Sequence, residues 1–239
     1  MWKMTRGKLY LIPSPLGDNE PSEVIPAGVL SLLPSLRTFV VEEVRTARRY
    51  LSRAGLKGHI SELSFTELNE HTTPAEVEAM LPLFDGGDVG LISEAGLPAV
   101  ADPGAALVAL CHRHGIEVVP MTGPSSLMLA LMASGMDGQS FAFRGYLPAK
   151  TEERRAAIRS MEKLSASLHQ TQIVIETPYR NDALLADLVS QLSPATLLCV
   201  AADLTLSTRF VRTLPVSRWK GSMPVIGKRP CVFLILAKP

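Results

Sequence analysis

Short apolar runs bounded by turn residues alternate with stretches of helical period along most of the chain. Residues 8–13, 38–43, 88–93 and 116–120 read as strands. Each is a brief run rich in Val, Leu, Ile or Phe. Between them the period changes. Thr73-Pro74-Ala75-Glu76 has the form of a capping box with proline in the first turn. Val77, Met80, Leu81 and Phe84 follow at helical spacing, and Gly86-Gly87 ends that run. A second helix is predicted over 104–114, closed by Gly115, and a third over 125–134, closed by Gly135. A strand near Phe141, a polar helix over 152–169 and a strand over 171–176 come next. Leu184, Leu185, Leu188, Val189 and Leu192 mark a further helix. Strands over 197–201, 210–213 and 232–237 finish the chain. The β-α-β succession predicts a parallel sheet. The stretch Pro120-Met121-Thr122-Gly123-Pro124 reads as a boundary, giving an N-terminal α/β domain over 1–120 and a C-terminal one over 121–239.

One connection stands out in this pattern. Ser93-Glu94-Ala95-Gly96-Leu97-Pro98-Ala99-Val100-Ala101-Asp102-Pro103-Gly104 joins the strand at 88–93 to the helix at 104–114. It is a loop of small residues with prolines and two carboxylates. Its place is the carboxyl end of a buried strand, where open parallel sheets bind ligands. Gly and Ala allow close approach to backbone, and proline fixes loop shape. By composition alone it also fits an ordinary strand-to-helix connection.

A family resemblance bears on that choice. The loop resembles the Ser-Asp-Ala-Gly-Thr-Pro-Gly-Ile-Ser-Asp-Pro-Gly segment of the tetrapyrrole methylase superfamily, nearest its 16S rRNA 2′-O-ribose methyltransferase branch. Five further segments match in order. Gly7-Lys8-Leu9-Tyr10-Leu11-Ile12-Pro13-Ser14-Pro15-Leu16-Gly17 looks like the opening strand and its Thr-Pro-Ile-Gly loop. Glu42-Glu43-Val44-Arg45-Thr46 is similar to an Ala-Glu-Asp-Thr-Arg helix start. Gly123-Pro124-Ser125-Ser126 is similar to Gly-Pro-Ser-Ala, and Phe143-Arg144-Gly145-Tyr146-Leu147-Pro148 to Phe-x-Gly-Phe-Leu-Pro. Glu176-Thr177-Pro178-Tyr179-Arg180 is similar to Glu-Ser-Pro-His-Arg. Asn69-Glu70-His71 partly resembles a His-Glu-His segment. The resemblance implies two α/β domains, an N-terminal one with a mainly parallel sheet and a C-terminal one with a mixed sheet, with a cofactor cleft between them. It also implies S-adenosylmethionine as cofactor, a homodimer, and ribosomal RNA or the small ribosomal subunit as partner. Departures leave the acceptor open between RNA and a tetrapyrrole or other small molecule. Asp18 stands where the rRNA branch has Asn, Glu94 replaces Asp, and Leu97 replaces Thr. A cofactor-binding protein without catalysis is the non-enzyme alternative.

Composition and charge narrow the picture. No apolar run reaches the roughly 20 residues of a membrane span. The start, Met1-Trp2-Lys3-Met4-Thr5-Arg6, has no long apolar stretch of a secretory leader, so a cytoplasmic protein is expected. Cys111, Cys199 and Cys231 are few and far apart, and read as reduced core residues. His112 and His114 do not share a helix face, so no metal site is expected. The net charge of +1 hides segregation. Between Lys57 and Arg113 there are nine acidic residues and no Lys or Arg, whereas after Asp203 there are seven basic residues and no acidic one. Arg45, Arg48, Arg49, Arg53 and Lys57 form a further basic run. Such faces suit phosphates, and equally suit plain solvation. The Gly-x-Gly-x-x-Gly, Walker A, His-Glu-x-x-His and Gly-x-Ser-x-Gly signatures are all absent from the sequence.

The resemblance puts the cofactor against Pro15, Gly17, Glu94, Ala95, Gly96, Pro98, Ala99, Val100, Asp102, Ser125 and Ser126. Hydroxyls and backbone amides at a helix start suit the methionine carboxylate; Ser125 equally suits a helix cap. Transfer to a hydroxyl needs a proton acceptor. Asp18, Glu43, Glu94, Asp102 and Glu176 are the carboxylates in motif loops or at predicted strand ends. Glu43 and Glu176 are preferred among them, with Asp18 as a third catalytic candidate. Arg45 and Arg180 are expected to hold substrate phosphate or carboxylate groups, or to pair with those same glutamates.

Overall fold

A computed structural model describes residues 6–237. Residues 1–5, which hold most of the stretch read for a leader, lie outside it, as do Lys238 and Pro239. The chain divides into two compact units between Ser125 and Ser126. Among the described residues no helix is long and apolar enough to cross a membrane.

The first unit runs β1 (Leu9–Ile12), α1 (Pro21–Val24), α2 (Ala27–Leu32), β2 (Thr38–Val41), α3 (Val44–Leu51), β3 (Ser64–Glu67), α4 (Pro74–Glu78), β4 (Val89–Ile92), α5 (Ala105–Arg113) and β5 (Val118–Pro120). Its strands form one sheet in the order β3-β2-β4-β1-β5, and every pairing is parallel. A parallel sheet must be covered on both faces. Accordingly, one core gathers Ile12, Phe39, Val41 and Leu51, and another gathers Leu9, Val40, Leu91, Leu107 and Leu110. The β4 run Val-Gly-Leu-Ile is buried at all four positions, which is why it reads as a continuous apolar run.

This unit differs from the sequence reading in α1 and α2, which it does not predict, and in two further features. The capping box at Thr73 is present, with Glu76 returning to the Thr73 amide. The α-helix behind it stops at Glu78, and residues 81–86 form a tighter 3₁₀ turn. Pro82 explains the stop, because it has no amide to donate four residues back and its ring crowds that carbonyl. Strand β3 has no counterpart in the sequence pattern. It is an edge strand pairing only with β2, and its half-exposed residues carry no continuous apolar run.

The second unit runs α6 (Ser126–Ser134), β6 (Phe141–Tyr146), α7 (Thr151–Leu168), β7 (Thr171–Ile175), α8 (Asn181–Gln191), β8 (Leu197–Ala202), β9 (Phe210–Pro215), α9 (Val216–Trp219) and β10 (Cys231–Leu236). Its sheet has the order β6-β7-β10-β8-β9. Only β6 and β7 are parallel; the other neighbours are antiparallel. This is the mixed sheet expected for the C-terminal half. Phe233, Trp219, Ile158 and Leu188 are fully buried in its core. Arg154 is buried there too, donating from Nε to Asp187 Oδ2 at 2.7 Å, while Arg155 donates to Oδ1 at 2.9 Å. The cysteines are buried and free.

Candidate functional site at the carboxyl edge of the parallel sheet

The strand order makes a crevice before any side chain is considered. From β1 the chain crosses to β2 on one side; from β4 it crosses to β5 on the other. Connections that diverge from neighbouring strands leave a gap at their carboxyl ends. The loops after β1 and β4 meet there through a two-way bridge. Ser14 N donates to Gly96 O at 2.9 Å, and Gly96 N donates to Ser14 O at 3.1 Å. The Ser14 hydroxyl adds a bond to Ser93 O at 3.1 Å.

Small residues make this convergence possible. Gly96 has φ +83°, and a Cβ there would meet Leu16 at 3.1 Å and Pro124 O at 3.5 Å. A Cβ on Gly123 would overlap the ring of Pro13. Thus the loops after β1, β4 and β5 close on one another within the first unit. The β4 loop is also strained: Ala99 and Ala101 sit at φ 64° and 66°, where side-chain-bearing residues are rare. Strain of this kind persists where surrounding contacts enforce it.

Three carboxylates gather at this edge. Glu42 follows β2, and its Oε2 accepts from Glu94 N at 3.0 Å. Burial holds its carboxyl above the usual range, with Glu94 and Glu70 adding repulsion. Asp102 is half-buried. Burial, then Glu42 and Glu94, push its carboxyl up to about 6. The buried Ser93 hydroxyl gives Asp102 partial relief, yet has no partner of full hydrogen-bond geometry. A half-buried carboxyl poised near neutrality beside a buried hydroxyl marks a candidate site.

Beside this edge lies a cavity of about 180 Å³, lined by the loop residues Ser14, Pro15, Gly17 and Glu94 and by Arg49 and Arg53. Buried Tyr50 ties α3 to the loop, donating to Pro13 O at 2.9 Å. Arg53 reaches Asp18 at 2.6 Å and Arg49 reaches it at 3.2 Å, and both hold the Asp18 carboxyl below its usual range.

The preferred carboxylates stand differently from one another. Exposed Glu43 is the N-cap of α3. It accepts from Arg45 N at 2.8 Å, and from Thr46 N and Oγ1 at 2.6 and 2.7 Å. Those bonds, led by the Thr46 hydroxyl, hold its carboxyl down. Its neighbour Glu42 is the one in the acidic cluster. The adjacent pair at the end of β2 was the available signal, but sequence alone does not say which member caps the helix. Glu176 is buried in the second unit and pairs with Arg180 at 2.6 Å, leaving Oε2 buried without a partner. Arg45 is exposed on α3, and Ser126 opens α6.

The residues of the β4 loop fit a sulfonium cofactor. Gly96 and Gly123 let the loop backbones pack closely, the buried Ser93 hydroxyl lies by Asp102, and the carboxylates Glu94 and Asp102 favour a cation. Comparison with known proteins agrees. The family model described as Tetrapyrrole (Corrin/Porphyrin) Methylases matches residues 8–217. The chain is 31% identical to Ribosomal RNA small subunit methyltransferase I of Vibrio cholerae over 87% of its own length and 69% of that protein's. To the protein of that name from Escherichia coli O157:H7 it is 30% identical, covering 89% and 70%. To the one from Neisseria meningitidis serogroup B it is 33% identical, covering 83% of this chain but 64% of that one. Among solved structures, the methyltransferase CobJ aligns with a TM-score of 0.64 at 14% identity, over 97% of this chain and 94% of that one. Uroporphyrin-III C-methyl transferase from Thermus thermophilus, complexed with S-adenyl homocysteine, aligns at 0.60 and 16% identity, over 96% and 97%. These last two establish fold alone. With the family model covering most of the chain and the loop motifs in place, the chain belongs to the tetrapyrrole methylase family of S-adenosylmethionine-dependent methyltransferases.

Proposed function

We propose that this methyltransferase acts on RNA, at a ribose hydroxyl of the small ribosomal subunit's RNA. The observation that carries the reading is the cavity shared by the β1 and β4 loops, Arg49 of α3 and Arg53 just after it. The loops we assign to the cofactor and the guanidinium groups held by Asp18 line the same cavity, which supports the reading. Arg45, Arg48, Arg49 and Arg53 give that helix and its continuation a basic face, suited to a polyanion. The names of the relatives above point the same way.

When bound, the cofactor supplies a methyl group on a positively charged sulfur. Pro15, Gly17, Ala95, Gly96, Pro98, Ala99 and Val100 supply backbone and small surfaces for it, and Glu94 supplies charge. Ser125 and Ser126 offer hydroxyls to its carboxylate. Asp102 is our choice for the proton acceptor: its Oδ takes the proton of the acceptor hydroxyl. It is half-buried and titrates near neutrality, as a useful base must. Glu42 and Glu94 keep it basic by repulsion. Glu43 and Asp18 serve better as organisers, one capping α3 and the other clamping Arg49 and Arg53. Arg45 and Arg180 remain our choices for substrate phosphates, and Glu176 orients Arg180. A cytoplasmic homodimer completes the reading.

Labelled methyl transfer to small ribosomal subunits from a strain lacking this gene tests it. Label in a ribose of the small-subunit RNA is expected. Label found only in a tetrapyrrole or other small molecule overturns the RNA assignment, and no label anywhere overturns the catalytic one.

A further inference from the structure

The second unit presents an aromatic ring to solvent at the end of β7. Pro178–Arg180 forms a 3₁₀ turn, and Tyr179 within it is 80% exposed. The turn is firmly built. Thr177 N and the Arg180 guanidinium both donate to Glu176 Oε1, at 2.6 Å each for the closest contacts. The next residues staple a distant loop to the same place. Asn181 Nδ2 donates to Gly227 O at 3.2 Å and Arg229 O at 2.8 Å, and Asp182 Oδ1 accepts from Ile226 N at 2.7 Å. That staple brings Lys228 over the Tyr179 ring, with Nζ 4.8 Å from its centroid. Val225, beside the stapled Ile226, is 84% exposed.

Three facts distinguish this face from an ordinary exposed tyrosine. The ring sits on a turn fixed by partly buried polar bonds, so it is held out at low entropic cost. Both nearby carboxylates, Glu176 and Asp182, are engaged in internal bonds. The loop that supplies the cation belongs to the stretch after Asp203, which carries seven basic residues and no acidic one. A second copy of this face laid against it would set cation on cation. An exposed aromatic ring with a cation over one face matches an unpaired nucleobase stacked on the other and its phosphate near the cation.

We propose that Tyr179, with Lys228 over one face of its ring, is a stacking platform whose other face takes an unpaired base of the RNA substrate. The inference rests on the RNA reading above and adds a position and a preference: single-stranded RNA over duplex, read through the ring.

Fluorescence anisotropy with a short labelled single-stranded RNA, and with the same strand in a duplex, tests it on the full-length protein. Tyr179→Ala is expected to weaken single-strand binding by roughly 5-fold or more, with little change for duplex. Tyr179→Phe keeps the ring and should retain affinity, and Tyr179→Trp should retain it with indole emission quenched on binding. Lys228→Ala should weaken binding less and flatten its salt dependence. Melting temperatures should match the wild type, since the ring is exposed. Unchanged affinity in Tyr179→Ala overturns the platform while the RNA reading stands. A wild type that binds neither RNA and labels none overturns both. A change in sedimenting mass on Tyr179→Ala, without a change in RNA affinity, assigns the face to self-association and overturns the proposal.

Discussion

Asp102 and Asp187 are both withdrawn from water, in opposite company. Asp187 lies in the second unit between Arg154 and Arg155. Burial pushes its carboxyl up, but the two guanidinium groups outweigh that and hold it below its usual range. Asp102 lies in the first unit with Glu42 and Glu94 for neighbours and no cation among the groups acting on it, and burial and repulsion add. One arrangement fixes a proton-free charge inside a core. The other leaves a carboxyl that exchanges its proton near neutral pH. The first suits stability and the second suits chemistry.

Substitution should separate the two. Asp102→Asn should lower methyl transfer by about 10²–10⁴-fold, the usual loss of a positioned base, while the protein stays folded. Asp187→Asn should do the reverse. It leaves the buried Arg154 charge uncompensated, at a cost of about 3–5 kcal/mol in urea unfolding, with the rate per folded molecule retained. A rate loss in Asp187→Asn without a stability loss would collapse the comparison.

The same contrast has a stability signature in pH. Burial and repulsion push the Asp102 carboxyl up to about 6 in the folded chain, against an ordinary value of 3.8. The folded state therefore binds more protons between those values, and stability falls as pH rises through that window. Asp102→Asn removes this penalty. Its Tm should exceed the wild type's at pH 7.5, and the difference should close toward pH 4. A Tm deficit at pH 7.5 would mean that Asp102 is a structural residue after all. The smallest effect is expected at Glu43. Glu43→Ala removes the α3 cap, so Tm should fall slightly while the rate per folded molecule holds. A large rate loss there would return the catalytic role to Glu43.

Much of this was legible in the sequence. The buried runs of β1, β2, β4 and β10 announce themselves because both of their faces are covered. The β4 loop is legible because its small residues and prolines serve one geometry. The edge strand β3 was not, since its exposed positions are free to be polar. Nor was the break after Glu78, where the apolar spacing runs on through Pro82 and hides the change from α to 3₁₀. The site was half legible. Glu94 and Asp102 lie in the motif itself, but the choice between Glu42 and Glu43 depends on which side chain turns back to cap α3. Tyr179 gave no chemical signal of its own until the Asn181 and Asp182 bonds brought Lys228 to it.

The central claim is that Asp102 accepts the proton and that its like-charged neighbours set its basicity. The pH dependence of single-turnover methyl transfer, in the wild type and in Glu42→Gln, tests that most directly. The wild-type rate should rise along a limb with an apparent pKa at or below about 6, since a bound cation favours the charged carboxylate. Removing the Glu42 charge removes repulsion, so in Glu42→Gln the limb should move to lower pH. A limb that stays in place in Glu42→Gln, or persists in Asp102→Asn, would contradict the account.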